Sequence, residues 1–156
     1  QFLIRNSRVD CIVYMRSQSA LMVLPYDLFL FTMIHECMAA RLDVPLGQYS
    51  HFCSSIHYYE DEEAAVTEAL REEIPTAIES MPKMTDFSEE IRAQIIYAES
   101  TFRSQIFSAN SFEQRDLANL VGSSGLSVYW QTLFRAFFGD GLHRINQFRG
   151  RFRFVR

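Results

Sequence analysis

Apolar and polar positions change period along the chain. Phe2 to Arg5 and Val9 to Met15 are rich in β-branched and aromatic residues and flank the turn-like Asn6-Ser7-Arg8, which predicts a hairpin. Arg16 and Ser17 close its second strand. From Pro25 to Leu42 the spacing becomes helical, with the proline in the first turn, where its missing N–H has no partner to lose. Leu28, Phe29, Leu30, Phe31, Met33, Ile34, Cys37 and Met38 cover nearly every face, so this helix is expected to be central and buried. Asp43-Val44-Pro45-Leu46-Gly47 reads as a turn, and Tyr49 to Tyr59 as one strand with many small or polar members. Acidic Asp61-Glu62-Glu63 suits the positive end of a helix running to Glu73.

After Pro75 and Pro82 the pattern is helical again, and three helices are expected, over about 87–107, 111–121 and 127–138. Asp86 with Glu89, and Ser111 with Gln114, have the spacing of capping boxes. From Leu142 to Arg156 the tail alternates cationic and aromatic residues in Arg151-Phe152-Arg153-Phe154, the period of a strand. No internal repeat or low-complexity tract interrupts the chain. The expected fold class is α/β (α+β): a mixed sheet packed on a central buried helix over residues 1–84, then a helical extension of the same domain over residues 85–156 ending in a basic, aromatic strand.

Composition narrows the partners. A chain of 156 residues, 48% hydrophobic and 14% aromatic, can build a real core, which excludes a disordered class. The formal net charge of -4 gives no overall bias toward nucleic acid or anionic lipid, so any anion site has to be local. Lys83 is the only lysine; the remaining cations are arginines, whose planar fork suits phosphate. Cys11, Cys37 and Cys53 form no C-x-x-C pair, which points away from a disulfide framework or zinc knuckle and toward a reducing, cytoplasmic setting. No apolar run is long enough to span a bilayer, and no signal peptide opens the chain. The first residues already read as a strand, which carries the expectation of further sequence upstream of Gln1.

The densest chemistry lies in Tyr14-Met15-Arg16-Ser17-Gln18-Ser19-Ala20-Leu21-Met22-Val23-Leu24-Pro25-Tyr26-Asp27, a strand end, a short loop and a helix start. An arginine there, beside a hydroxyl and free backbone N–H groups, can hold a phosphate by charge-assisted hydrogen bonds. A second polar cluster follows at His51, Ser54, Ser55, His57 and Tyr59; on one continuous strand His51, Ser55, His57 and Tyr59 share a face. Each feature has a plainer reading as well. Arg16 alone could be a surface cation, Asp27 a helix-dipole partner, and His57 with Tyr59 ordinary core polar residues. His35-Glu36 has no second histidine at helical spacing, so a structural role is expected and no metal site. The Ser123-Ser124-Gly125 loop lacks the spacing of a phosphate loop. The aromatic and basic tail could stack single-stranded nucleic acid, but an amphipathic strand is the commoner origin of that alternation, and nucleic acid is not the expected partner.

These two blocks resemble the thymidylate synthase family. Arg16 to Asp27 is similar to its R-S-x-D-x-x-L-G-x-P-[FY]-N pattern, and Ser55-Ile56-His57-Tyr58-Tyr59 to its G-D-x-H-x-Y, with the order, spacing and intervening apolar helix in agreement. The likeness covers residues 1 to 62 well and Ser80-Met81-Pro82-Lys83 loosely. It implies a pyrimidine nucleoside monophosphate as ligand, 5,10-methylenetetrahydrofolate as cofactor and no metal. By position, Arg16 and Ser17 would bind the 5′-phosphate, His57 and Tyr59 the sugar, and Asp27 would stand in for the asparagine that reads the base, with Ser19 and Ser55 also in the pocket. A homodimer, or a subunit of a mixed assembly, is also implied, with arginines crossing between subunits.

The departures carry information too. Ser19 replaces an aspartate that positions folate and catalytic water, Val23 a glycine of the pocket wall, and Ser55 an aspartate, all of which count against folate-dependent transfer. An asparagine amide can donate to uracil O4 while accepting from N3–H; the Asp27 carboxylate only accepts. Uracil is thereby disfavoured, whereas the N4 amino group of cytosine matches a carboxylate. The nearest relatives on this feature are the cytidylate hydroxymethylases. The family's chemistry begins with a thiolate attacking pyrimidine C6, and the resemblance places that cysteine upstream of Gln1, so no catalytic residue is expected in this chain. The expected function is nucleotide binding for C5 methylation or hydroxymethylation; the alternative is a catalytically degenerate subunit acting as a nucleotide sensor or assembly partner.

Overall fold

The computed structural model describes residues 1–72, 80–108 and 114–151. Strand β1 (Phe2–Arg5) turns through Asn6 and Ser7, both with positive φ, into antiparallel β2 (Arg8–Met15). Two left-handed residues in succession match the twist of a tight hairpin, and asparagine tolerates that backbone better than most residues. After the two-residue β3 (Gln18–Ser19), helix α1 (Leu24–Leu42) crosses over to β4 (Leu46–Cys53), which lies parallel to β2. The sheet order β1-β2-β4 is therefore mixed, and the α+β class expected from the pattern is the one observed.

Helix α1 begins with Pro25 in its first turn and ends at Asp43, whose φ of 52 places it in the left-handed region; the N–H groups of Asp43 and Val44 donate to Ala40 and Ala39. One face lies on the sheet. Val9, Cys11 and Val13 are buried beneath it with Ala39, and the buried His35 sets its Nε2 2.6 Å from the Val9 carbonyl. An acceptor at that nitrogen requires the Nε2–H tautomer. The histidine thus serves packing, as its isolation in sequence implied. On the other faces, Leu28, Phe29, Leu30 and Ile34 are exposed, so burial on nearly every side is met only toward the sheet.

The strand expected over Tyr49–Tyr59 divides instead into two. β4 stops at Cys53, and the chain resumes as β5 (Ile56–His57), parallel to β3 in a separate two-stranded sheet. Both neighbours break together. The Ser54 N–H donates to the Met15 carbonyl at 3.0 Å, and the Gln18 N–H to the Ser55 carbonyl at 2.9 Å, so backbone bonds hold the two chains together on either side of the bend at Arg16-Ser17 and Ser54-Ser55. His51 and His57 consequently sit in different sheets, and the shared face expected for His51, Ser55, His57 and Tyr59 does not form.

The acidic segment is a 3₁₀ turn (Glu60–Glu62) followed by α2 (Glu63–Ala69), shorter than expected; the Glu62 carboxylate accepts from the Tyr59 N–H at 2.8 Å. A second compact unit holds α3 (Glu89–Ser108), α4 (Gln114–Gly122) and α5 (Val128–Arg151). α3 starts one residue after Ser88, whose hydroxyl accepts from the Ile91 N–H. Phe102, Leu117, Val121, Tyr129, Trp130, Leu133 and Phe134 form its core. The strand expected from Leu142 is replaced by helix as far as Arg151. Phe152 to Arg156, the segment around Pro75 and Ser111 of the Ser111–Gln114 box lie outside the described residues.

Candidate functional site

Two clusters gather where β3 meets β5 and α1 begins. In the first, the Ser17 hydroxyl lies 3.4 Å from His57 Nδ1, though the two are 40 residues apart in sequence. The parallel register that sets Ser19 beside His57 causes this. The Tyr59 ring meets the His57 ring edge-on, with centroids 5.4 Å apart. Arg16 immediately precedes Ser17, is exposed, and makes no ion pair among the described residues. A solvated guanidinium without a carboxylate partner keeps its donors available to an external anion. Ser55 is exposed, and its carbonyl holds β3 in place.

The second cluster is a chain of side-chain hydrogen bonds that the sequence reading missed. Gln18, only 1% exposed, donates from Nε2 to Asp27 Oδ2 at 2.7 Å. Its Oε1 lies 2.8 Å from His51 Nε2, and His51 Nδ1 lies 2.8 Å from the Tyr49 hydroxyl. Polarity along this chain is fixed by its carboxylate end. Asp27 can only accept, so Gln18 turns its amino group toward it and its carbonyl toward His51. That imidazole then donates from Nε2–H, leaving Nδ1 to accept from Tyr49. Burial first, then the nearby Cys11 and Asp27, push the Tyr49 phenol above its ordinary value, which keeps its proton in place.

Ser19 is 2% exposed, and its hydroxyl accepts from the Met22 N–H at 3.1 Å, fixing the turn into α1. Among the thiols, burial pushes Cys11 up; Cys37 is pushed up to about 11 by burial and then by Glu36. Cys53 donates to the Ser55 carbonyl. A cavity of about 450 Å³ opens between the hairpin and α1, lined by Phe2, Cys11, Val13, Tyr14, Phe31 and Ile34 among others; none of the expected site residues lines it. Among the described residues, no group of three or more His, Cys, Asp or Glu could hold a metal ion, and no helix is long and apolar enough to cross a membrane.

Of the expected site residues, the fold brings Ser17, His57 and Tyr59 together, with Arg16 next to them in the chain. Asp27 lies in the second cluster, bonded to Gln18, which follows Ser17 in the chain. Gln18 and Asp27 fall within one motif block, but Tyr49 and His51 lie outside it, so the four residues are joined only in the folded chain. The thymidylate synthase family model matches residues 1–99, which take in every strand among the described residues, α1, α2 and the first half of α3. With more than half its length matched, and with the crossover and polar strand break where that match lies, this chain belongs to the thymidylate synthase family.

Proposed function

We propose that this chain recognises a pyrimidine nucleoside monophosphate, cytidylate in preference to uridylate, for chemistry at C5. The observation that carries the reading is the 3.4 Å approach of Ser17 to His57, which joins two motifs distant in sequence at one strand junction. Arg16 and Ser17 take the 5′-phosphate, and His57 with Tyr59 the sugar. Asp27 faces the base edge, where its acceptor-only oxygens suit the cytosine amino group. Three free cysteines agree with a reducing, cytoplasmic setting. On the sheet face away from α1, Tyr14 stacks on Phe52 with centroids 5.1 Å apart while both remain exposed, a surface suited to a dimer.

The family normally uses methylenetetrahydrofolate. The residues present do not fit that cofactor at Ser19, whose hydroxyl is buried in a turn instead of offering a carboxylate, so no transfer step through folate follows from this chain. Neither Cys11 nor Cys37 suits attack on C6, because the thiolate is the nucleophile and burial holds both in the thiol form. The Ser19 arrangement favours a second reading, a catalytically degenerate subunit that binds nucleotide as a sensor or assembly partner.

Tritium release from C5-labelled dCMP, CMP and dUMP, assayed on the longest natural form of the protein, separates the two. Exchange confined to a cytidylate supports C5 chemistry, whereas binding without exchange supports the degenerate subunit. Arg16→Ala is expected to weaken dCMP or CMP binding roughly 10- to 100-fold by calorimetry, the size of a lost charge-assisted hydrogen bond. Unchanged affinity would remove the phosphate assignment.

A further inference from the structure

The chain from Tyr49 through His51 and Gln18 to Asp27 has a consequence for selectivity. Asp27 can discriminate cytosine from uracil only while it stays an acceptor aimed in one direction. A carboxylate at the start of a helix is otherwise free to rotate. Gln18 opposes that rotation. Its amino group occupies Oδ2 at 2.7 Å, which leaves Oδ1 as the free acceptor. The amide cannot turn around without setting its carbonyl oxygen against the carboxylate. His51 adds a second lock, since its Nε2–H engages Gln18 Oε1 at 2.8 Å, and Tyr49 in turn selects that tautomer by occupying Nδ1 at 2.8 Å. Phe31 stands beside the imidazole, with ring centroids 6.5 Å apart. Every polar atom on Gln18 that points inward is thus engaged, in a residue almost wholly removed from water. An isolated buried amide would be costly; one that fixes a functional carboxylate has a reason to be there.

We infer that Gln18 and His51 are positioning residues that hold Asp27 as a one-directional acceptor and so set the preference for a cytosine over a uracil monophosphate. This rests on the nucleotide-binding reading above. Neither residue touches the ligand; both act through the carboxylate.

The test measures binding of dCMP, CMP, dUMP and UMP to the full chain by calorimetry, with ribose 5-phosphate as a probe lacking a base. Gln18→Met removes both hydrogen bonds at similar volume and is expected to reduce the cytidylate-to-uridylate affinity ratio by about tenfold, while affinity for ribose 5-phosphate stays unchanged. Gln18→Glu sets two carboxyl groups in contact, which then share a proton, and is expected to raise uridylate affinity relative to cytidylate. His51→Asn, which retains a donor, should preserve more of the ratio than His51→Phe. Should Gln18→Met fail to fold, the Glu and His51 substitutions read the same ratio. Wild-type protein that prefers cytidylate, with the ratio unmoved by all four variants, overturns this inference and leaves the nucleotide site standing. Wild-type protein that binds ribose 5-phosphate and no base selectively also overturns it, and wild-type protein that binds none of the probes overturns both readings.

Discussion

Cys37 sits half-buried on α1 with Glu36 beside it in the chain, and both circumstances oppose loss of its proton, burial the more strongly. In the unfolded chain the thiol returns to its ordinary value of 9.0, below the folded value of about 11. A folded value raised in this way means that stability is fully present below pH 9 and is lost as pH climbs from 9 to about 11, because the unfolded state releases its proton first. Tyr49, also raised from its ordinary 10.0, pulls in the same direction at the upper end. The urea midpoint followed by circular dichroism is expected to stay level to about pH 9 and then fall, less steeply in Cys37→Val. An equal alkaline slope in both proteins would show that another group is responsible. At this scale residue type and motif spacing singled out Arg16, Ser17, Asp27, His57 and Tyr59 as candidates, and the fold brings Ser17, His57 and Tyr59 together. His51 stood out in the polar cluster, but its pairing with Gln18 was not legible, because an amide and an imidazole 33 positions apart acquire a joint role only in the folded chain.

Periodicity revealed elements well where a single face is buried. The hairpin, α1 and the helical second half follow directly from residue pattern, whereas the division of β4 from β5 depends on hydrogen bonds to a neighbouring strand, which no local pattern encodes. Gly47 exposes the same limitation. It lies in β4 opposite the register irregularity between Val9 and Cys11, where a Cβ would stand 2.1 Å from Asp10 Oδ1 and 2.7 Å from the Val9 carbonyl oxygen. Asp10 cannot simply swing aside, since that oxygen accepts from the Gln48 N–H at 2.7 Å and replaces a ladder bond lost at the irregularity. Gly47→Ala is therefore expected to destabilise by about 1–3 kcal/mol, as overpacking against backbone does. Gly122, at the end of α4 with nothing within 4 Å of an added Cβ, is the control, and Gly122→Ala should leave stability level or raise it by up to about 1 kcal/mol. Chemical denaturation of both variants checks the contrast, and equal effects would refute the close approach at Gly47.

Two compact units share the chain, and their cores are built differently. Val9, Cys11, Val13 and Ala39 fill the space between sheet and α1, while the helical unit relies on aromatic rings. Phe102 is 2% exposed and meets Phe134 and Phe138 edge-on, with centroids 4.8 and 5.5 Å away. Truncating such a ring removes transfer energy and leaves a cavity, so Phe102→Ala is expected to cost about 3–5 kcal/mol. That is a large share of the roughly 5–15 kcal/mol that holds a domain folded. All residues assigned to nucleotide recognition belong to the strand-bearing unit, whose hydrogen bonds at the β3–β5 junction are internal to it. The variant should accordingly lose helical ellipticity at a lower temperature than the wild type while binding dCMP or CMP with undiminished affinity below that transition. If affinity instead declines in step with the helical signal, the helical unit takes part in forming the nucleotide site, and the assignment of recognition to residues 16–59 alone is wrong.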